Sequence, residues 1–332
     1  MSGLKRRDFM SDQAIRWCPG CGDYSVLAQL QSAMAEIGLP QHQHAVVSGI
    51  GCSSRLPYYM STYGFHTIHG RAPAVATGLK LANPDLSVWV ITGDGDALSI
   101  GGNHLAHVLR RNVDLNILLF NNRIYGLTKG QYSPTSEVGK RTKSSPMGVV
   151  DEPINPAAFA LGSGAAYVAR SVDVLPKHLR QALVDAHAHT GTSFLEILQN
   201  CNIFNDGAFA EHTDKAARPE RILYLAAGEP LVWGTERPMG LAQRGMALEI
   251  IEVNSPEDEA RCVVHDPSDR NLAWALATLE GDAVPLILGV LFDGQRQPYE
   301  VGVRDQILDA QGGLEAEDIH RLLQTPDAFT VR

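Results

Sequence analysis

The chain has 332 residues, 28 Lys and Arg against 37 Asp and Glu for a formal charge of −9, and 44% hydrophobic residues. That is ample for one large domain or two modest ones and excludes global disorder, and the acidic balance without a local basic patch argues against nucleic acid or membrane as a partner. No apolar run approaches the roughly 20 residues of a spanning helix, and Lys5-Arg6-Arg7-Asp8 leads into polar sequence where a signal peptide has its apolar core, so the cytoplasm is the expected location.

In chain order, a helical period over 24–37 is followed by a β-branched apolar run at 44–51. A helix is then expected at 72–81, a strand at 87–92, a helix at 103–110 and a strand at 116–120. Strands at 165–169 and 193–198 flank a helix at 176–189. This alternation predicts an α/β fold, a doubly wound parallel sheet with both faces covered, whose ligands bind just past the carboxyl ends of the strands. Residues 130–156 form a loop far longer than the usual 4 to 6 residues of a connection, which suits a functional or a disordered segment. The pattern changes after Asn202, with strand-like runs at 247–253 and 284–292 and a helical period at 315–323. Two regions are therefore expected: 1–204 as the binding domain, and 205–332 as a C-terminal extension packing on the main domain or on a partner.

Two strand ends carry a phosphate and metal signal. The run Val88-Trp89-Val90-Ile91-Thr92 enters Gly93-Asp94-Gly95-Asp96, where glycines let backbone N–H groups approach a diphosphate and a carboxylate can hold the magnesium that neutralises it. The strand at 116–120 ends in Asn121-Asn122-Arg123-Ile124. With the two strands close together, Asp94, the Asn122 amide oxygen and a nearby carbonyl make a hard oxygen set suited to magnesium. Each turn alone is commonplace. Together, at this separation, they match the thiamine diphosphate motif, which implies Asp94, Asn122 and the Ile124 carbonyl as magnesium ligands, with Gly93, Gly95 and Asp96 lining the diphosphate.

The five cysteines are too few for a disulfide scaffold in a chain this long. Cys18 and Cys21 form a Cys-x-x-Cys turn, Cys52 follows the strand at 44–51, and Cys201 follows the strand at 193–198. A redox dithiol needs only the first pair, whereas structural zinc or a cubane iron–sulfur cluster takes four ligands, and spacing does not separate these. The strand-end positions of Cys52 and Cys201, on the diphosphate side of the sheet, favour an electron acceptor over structural zinc. Cys262, in Arg261-Cys262-Val263-Val264, reads as a buried inert thiol.

Cys-Pro-Gly-Cys-Gly at 18–22, Gly51-Cys52-Ser53-Ser54-Arg55, His66-Thr67-Ile68-His69-Gly70-Arg71, Gly93-Asp94-Gly95-Asp96 and Asn121-Asn122 through Tyr125-Gly126-Leu127-Thr128-Lys129-Gly130-Gln131 occur in one order. In that order, over roughly residues 15 to 205, the chain resembles the β subunits of 2-oxoacid:ferredoxin oxidoreductases. The resemblance implies one [4Fe-4S] cluster on Cys18, Cys21, Cys52 and Cys201, beside thiamine diphosphate and Mg2+. It further implies oxidative decarboxylation of a 2-oxoacid, with electrons passing singly to ferredoxin and the acyl group to coenzyme A. Gly51, Cys52, Ser53, His69, Gly126 and Leu127 are expected at the cofactor. Arg55 and Leu127 are expected to contact substrate, and His69 to donate to the diphosphate or to an oxyanion of the adduct.

Only the diphosphate half of a thiamine site is present, so the resemblance also implies an α subunit carrying the pyrimidine-binding half and activity only with it. The Cys-Ser-Ser-Arg-Leu-Pro setting of Arg55 favours 2-oxoglutarate, with succinyl-CoA as product. Pyruvate is the alternative substrate, and a non-catalytic, zinc-stabilised thiamine-binding assembly subunit is the alternative of a different class.

Overall fold

A computed structural model describes residues 3–312 apart from 246; the helical period expected at 315–323 lies outside the described residues. Four central strands are near-continuous apolar runs: β1 (His44–Ser48), β3 (Ser87–Gly93), β4 (Asn116–Asn121) and β6 (Ser193–Leu198). Between β1 and β3 lies β2 (Tyr63–His66), and β5 (Tyr167–Val172) precedes β6. The later strands are β7 (Ile222–Tyr224), β8 (Val232–Trp233), β9 (Met239–Arg244), β10 (Ala247–Glu252) and β11 (Leu286–Asp293). The main sheet runs β2-β1-β3-β4-β6-β5-β11-β7, and β10-β9-β8 form a separate antiparallel sheet. Pairing in the main sheet is parallel except between β11 and β5.

Successive side chains of a strand point to opposite faces, and the core divides accordingly. Val88, Val90, Ile117 and Leu119 enter one apolar cluster; their neighbours Trp89, Ile91, Leu118 and Phe120 enter the other. The first face is covered by α2 (Ala72–Ala82), α4 (Gly102–Arg111) and α5 (Pro156–Gly162), with the short α3 (Asp94–Leu98) at the end of β3. The second is covered by α1 (Asp23–Ile37) and α6 (Pro176–Ala188), which pack on each other. Burial on both faces is why these strands read as unbroken apolar runs rather than alternating ones.

The part of the chain after residue 204 contributes β7 and β11 to the main sheet, so its packing is by strand pairing and not only by surface contact. The region from 131 to 155 contains no regular helix or strand. Among the described residues no helix is long and apolar enough to cross a membrane.

His44, at the start of β1, is fully buried with Phe9 packed edge-on against it at 5.6 Å between ring centroids. Burial, aided by the nearby His187, pushes its pKa down to about 4 from an ordinary 6.5. The unfolded chain therefore binds the proton first. Stability from this group is complete above the unfolded value and is lost as pH falls through the window down to the folded value, a loss on the order of 3 kcal/mol. Urea midpoints measured across that window should fall with acidification, and His44→Leu should remove this residue's share of the slope. An unchanged slope in the variant would contradict the assignment.

Candidate active site

The order β1-β3-β4-β6 places four chain reversals side by side, about 4.8 Å apart in the sheet. Past β1 come Gly51, Cys52 and Ser53; past β3, Asp94; past β4, Asn122; past β6, Gln199 and Cys201. Parallel strands bring all four carboxyl ends to one edge. This is the crevice in which doubly wound sheets bind their ligands.

Two adjoining cavities occupy that edge. One, of about 100 Å³, is lined by Gly51, Cys52, Ser53, His69, Gly93, Asp94, Gly95, Asp96, Asn122, Ile124, Gly126 and Leu127 among others. It therefore gathers every residue expected at a diphosphate and its metal. The second, of about 280 Å³, is lined by Cys18, Cys21, Cys52 and Cys201 together with Arg55 and Leu127. The two share a wall of Asp23, Cys52, Asn122, Gly126 and Leu127.

Asp94 is 3% exposed, and its Oδ2 accepts from Ser133 Oγ at 2.5 Å and from Thr135 Oγ1 at 2.7 Å. Burial raises its pKa, opposed by those hydroxyls and by backbone amides. The Asn122 Oδ1 accepts from the Ile124 amide at 3.2 Å, while Nδ2 donates to Gln199 Oε1 at 2.9 Å, which orients the amide oxygen toward its own loop. One carboxylate, one amide oxygen and one carbonyl are a donor set for a hard cation that takes its remaining ligands from phosphate and water. Among the described residues no three His, Cys, Asp or Glu side chains converge on a single ion.

The Asp96 carboxylate is held within the protein. Oδ1 accepts from the amides of Ile50 at 3.1 Å and Gly70 at 2.8 Å, and Oδ2 accepts from Thr92 Oγ1 at 2.7 Å. His69 Nδ1 lies 2.8 Å from Oδ1 without the alignment of a hydrogen bond, and its side chain is half-exposed at the cavity. Asp96 thus ties the loops after β1 and β2 to the end of β3. Gly95 has a packing reason of its own, since a Cβ there would stand 2.1 Å from the Tyr125 ring. His66 bonds to Ser54 O at 3.1 Å and lies outside both linings.

The Cys18–Cys21 turn is brought to the end of β6 by three contacts. The Gly22 amide donates to Asn200 O at 3.1 Å, Asn202 Nδ2 to Pro19 O at 2.7 Å, and Gln199 Nε2 to Cys21 Sγ at 3.3 Å. Gly126 separates two of the thiols; a Cβ there would lie 3.4 Å from Cys201 Sγ and 3.7 Å from Cys52 Sγ. Burial raises the Cys52 pKa to about 12 and pushes Cys21 up as well, with the Asp23 charge adding to both. A redox dithiol needs the opposite shift. Arg16, Arg55 and Lys129 also line this cavity, so its surroundings are cationic in an acidic chain. Arg55 Nε donates to the Tyr59 hydroxyl at 3.1 Å. Cys262 lies apart, bridged to β9 at Ala242.

Sequence reasoning missed Asp23, Ser133, Thr135 and Gln199. Asp23 is buried on the wall between the two cavities, and burial raises its pKa to about 7 against a hydrogen bond from the Cys21 thiol.

Residues 41–197 match the family described as thiamine pyrophosphate enzyme, C-terminal TPP binding domain. The 2-oxoglutarate oxidoreductase subunit KorB of Mycobacterium tuberculosis is 48% identical over 98% of this chain and 88% of its own length. The 2-oxoacid:ferredoxin oxidoreductase subunit beta of a Sulfolobus species is 40% identical over 72% of this chain and 86% of its own. The chain belongs to the 2-oxoacid:ferredoxin oxidoreductase β-subunit family. A solved structure of the 2-oxoglutarate:ferredoxin oxidoreductase from Magnetococcus marinus, with 2-oxoglutarate, coenzyme A and succinyl-CoA bound, matches at 34% identity over 98% of both chains with a TM-score of 0.79. Membership of this β-subunit family makes the chain an oxidoreductase subunit with an α partner, and the α/β fold expected from the strand pattern is the family's thiamine-binding fold.

Proposed function

We propose that the chain is the thiamine- and cluster-bearing subunit of an enzyme that converts 2-oxoglutarate and coenzyme A to succinyl-CoA and carbon dioxide, reducing ferredoxin, or runs the reverse reaction. The observation that carries this reading is the pair of adjoining cavities: one presents Asp94, Asn122 and Ile124 for a metal diphosphate, and the other presents four cysteines. The relatives named for 2-oxoglutarate support the choice of substrate.

The residues present fit both groups. Asp94, Asn122 and the Ile124 carbonyl would hold Mg2+, with Gly51, Ser53, Gly93 and Gly95 beside the diphosphate. Cys18, Cys21, Cys52 and Cys201 would hold the [4Fe-4S] cluster. Four thiols lining one cavity supply the ligand number of a cubane cluster. When bound, thiamine diphosphate supplies the carbon nucleophile and electron sink for decarboxylation, and the cluster accepts electrons one at a time.

The chain's own residues do the rest. Arg55 presents a guanidinium suited to a substrate carboxylate, and Leu127, half-exposed on the shared wall, gives the carbon chain an apolar surface. His69 lies against Asp96 with its ring at the cavity, placed to donate a hydrogen bond to a phosphate or oxyanion. A reducing compartment, the cytoplasm, is where these free thiols and a cluster persist.

The test is dye reduction by the anaerobically purified complex of this chain with its α partner, with 2-oxoglutarate and pyruvate compared. Coenzyme A-dependent reduction favouring 2-oxoglutarate is expected. Equal or faster reduction with pyruvate overturns the substrate, no reduction with any 2-oxoacid overturns the reading, and a colourless zinc-loaded complex overturns the electron route.

A further inference from the structure

We propose that the turn Ser133-Pro134-Thr135-Ser136 is the positioning element of the metal site, holding Asp94 through the Ser133 and Thr135 hydroxyls and transmitting occupancy of the site to the loop beyond it. This rests on the metal-diphosphate reading above and concerns residues which that reading does not use.

The turn is anchored on itself and on two strand ends. The Ser133 amide donates to Ser136 Oγ at 2.9 Å, the Ser136 amide to Ser133 O at 3.0 Å, and Ser136 Oγ to the Arg123 carbonyl at 2.7 Å. Its three hydroxyl residues are all buried. Arg123, at a positive φ of 56°, carries the chain from Asn122 to Ile124, so the turn braces the segment that bears two of the three metal ligands. On the other side, Ser133 and Thr135 both reach Asp94 Oδ2.

Thr135 has a second acceptor, Asn121 Oδ1 at 2.9 Å. The orientation of Asn121 is set by its Nδ2 donating to Glu196 Oε1 at 2.8 Å, with Glu196 itself paired to Arg170 at 2.7 Å. A hydroxyl has one hydrogen for these two acceptors. Asn121 Oδ1 also accepts from the Arg123 amide at 3.3 Å, so it keeps a donor when Thr135 serves Asp94. A cation on Asp94 draws on the carboxylate's electrons and changes what the two hydroxyls bind. Ligands of a metal are held in this way by hydrogen bonds from residues behind them, and losing such support costs about 10- to 100-fold in affinity.

Beyond the turn, Glu137 pairs with Arg123 at 2.6 Å, and the loop is closed by the Gly139 amide donating to Val149 O at 2.7 Å and the Val149 amide to Lys140 O at 3.0 Å. Its tip carries Arg141 and Lys143, both exposed, which makes the loop readable by trypsin.

The experiment uses the complex of this chain with its α partner, in wild-type, Ser133→Ala, Thr135→Val, Thr135→Ser and Asp94→Asn forms, with melting temperatures checked for each. Two quantities are read: the Mg2+ concentration that half-saturates thiamine diphosphate binding, and the rate of tryptic cleavage between residues 140 and 144 with and without Mg2+ and thiamine diphosphate. The wild-type loop is expected to be protected on loading. Ser133→Ala and Thr135→Val should raise the half-saturating Mg2+ concentration about 10-fold or more and lose protection, while Thr135→Ser should restore both. Wild-type affinity and protection in Ser133→Ala and Thr135→Val overturn the proposal alone, provided Asp94→Asn is impaired. A Thr135→Ser variant as impaired as Thr135→Val overturns it too. If Asp94→Asn binds like wild type, the metal reading fails, and the proposal with it.

Discussion

Replacing Asp94 with alanine is expected to abolish thiamine diphosphate binding in the presence of Mg2+ and to cut 2-oxoacid oxidation by about 10³-fold. The magnitude follows from the chemistry of the site: a metal ion on an anionic group is worth several kcal/mol, and about 1.4 kcal/mol is a factor of ten. Asp94 is the only carboxylate among the three expected ligands, so no neighbour can supply its charge. Asp96 cannot replace it, because its oxygens already accept from Ile50, Gly70 and Thr92. Cofactor binding followed by isothermal titration, together with dye reduction, checks the result. The visible absorbance of the cluster should survive, since Asp94 lines only the diphosphate cavity. Wild-type cofactor affinity in this variant would remove the metal from the site.

Cys201→Ser gives the second large effect, with the opposite pattern. Iron content and visible absorbance should fall from the level of one cluster per chain to background, and 2-oxoacid-dependent dye reduction should fall with them. Thiamine diphosphate binding should persist, because Cys201 does not line the diphosphate cavity. The control is Cys262→Ser, whose thiol lies against β9, and which should leave the iron content unchanged. Loss of iron in the Cys262 variant, or its retention in the Cys201 variant, would mean a different ligand set. The paired results separate the two cavities, which a single loss of activity would not.

The central strands were legible in the sequence because burial on both faces makes them continuous apolar runs, as in Asn116–Asn121. Strand β2 was not. Its four residues, Tyr63–His66, are exposed at the sheet edge and carry neither an apolar run nor a buried face. The helix Tyr299–Gln311 escaped notice for a related reason, since Glu300 is its only buried residue and no apolar stripe marks it.

Within the site, Cys52, Asp94, Asn122 and Cys201 could be found because each follows a readable strand, and strand ends converge in this architecture. The hydroxyls behind Asp94 could not, since Ser133 and Thr135 lie 39 and 41 positions away in a stretch without periodicity. Asp23 carried no signal beyond its place at the start of a helix, and only packing reveals that it sits between the cavities. The entry of β7 and β11 into the main sheet was equally hidden, because strand pairing over long separations leaves no local mark.

The thin partition between the two cavities bears on kinetics. Electron tunnelling slows steeply with the gap between donor and acceptor, and here the two cavities share a single wall of Asp23, Cys52, Asn122, Gly126 and Leu127. With a thiamine ring held on one side and iron on the other, as proposed, the internal hop would be short and would not govern turnover. On that proposal the slow steps would fall outside it, in bond breaking at the carbon substrate and in the arrival of a fresh carrier to empty the cluster. A rate that climbs with ferredoxin concentration to a plateau set by the 2-oxoacid is the signature of such a machine.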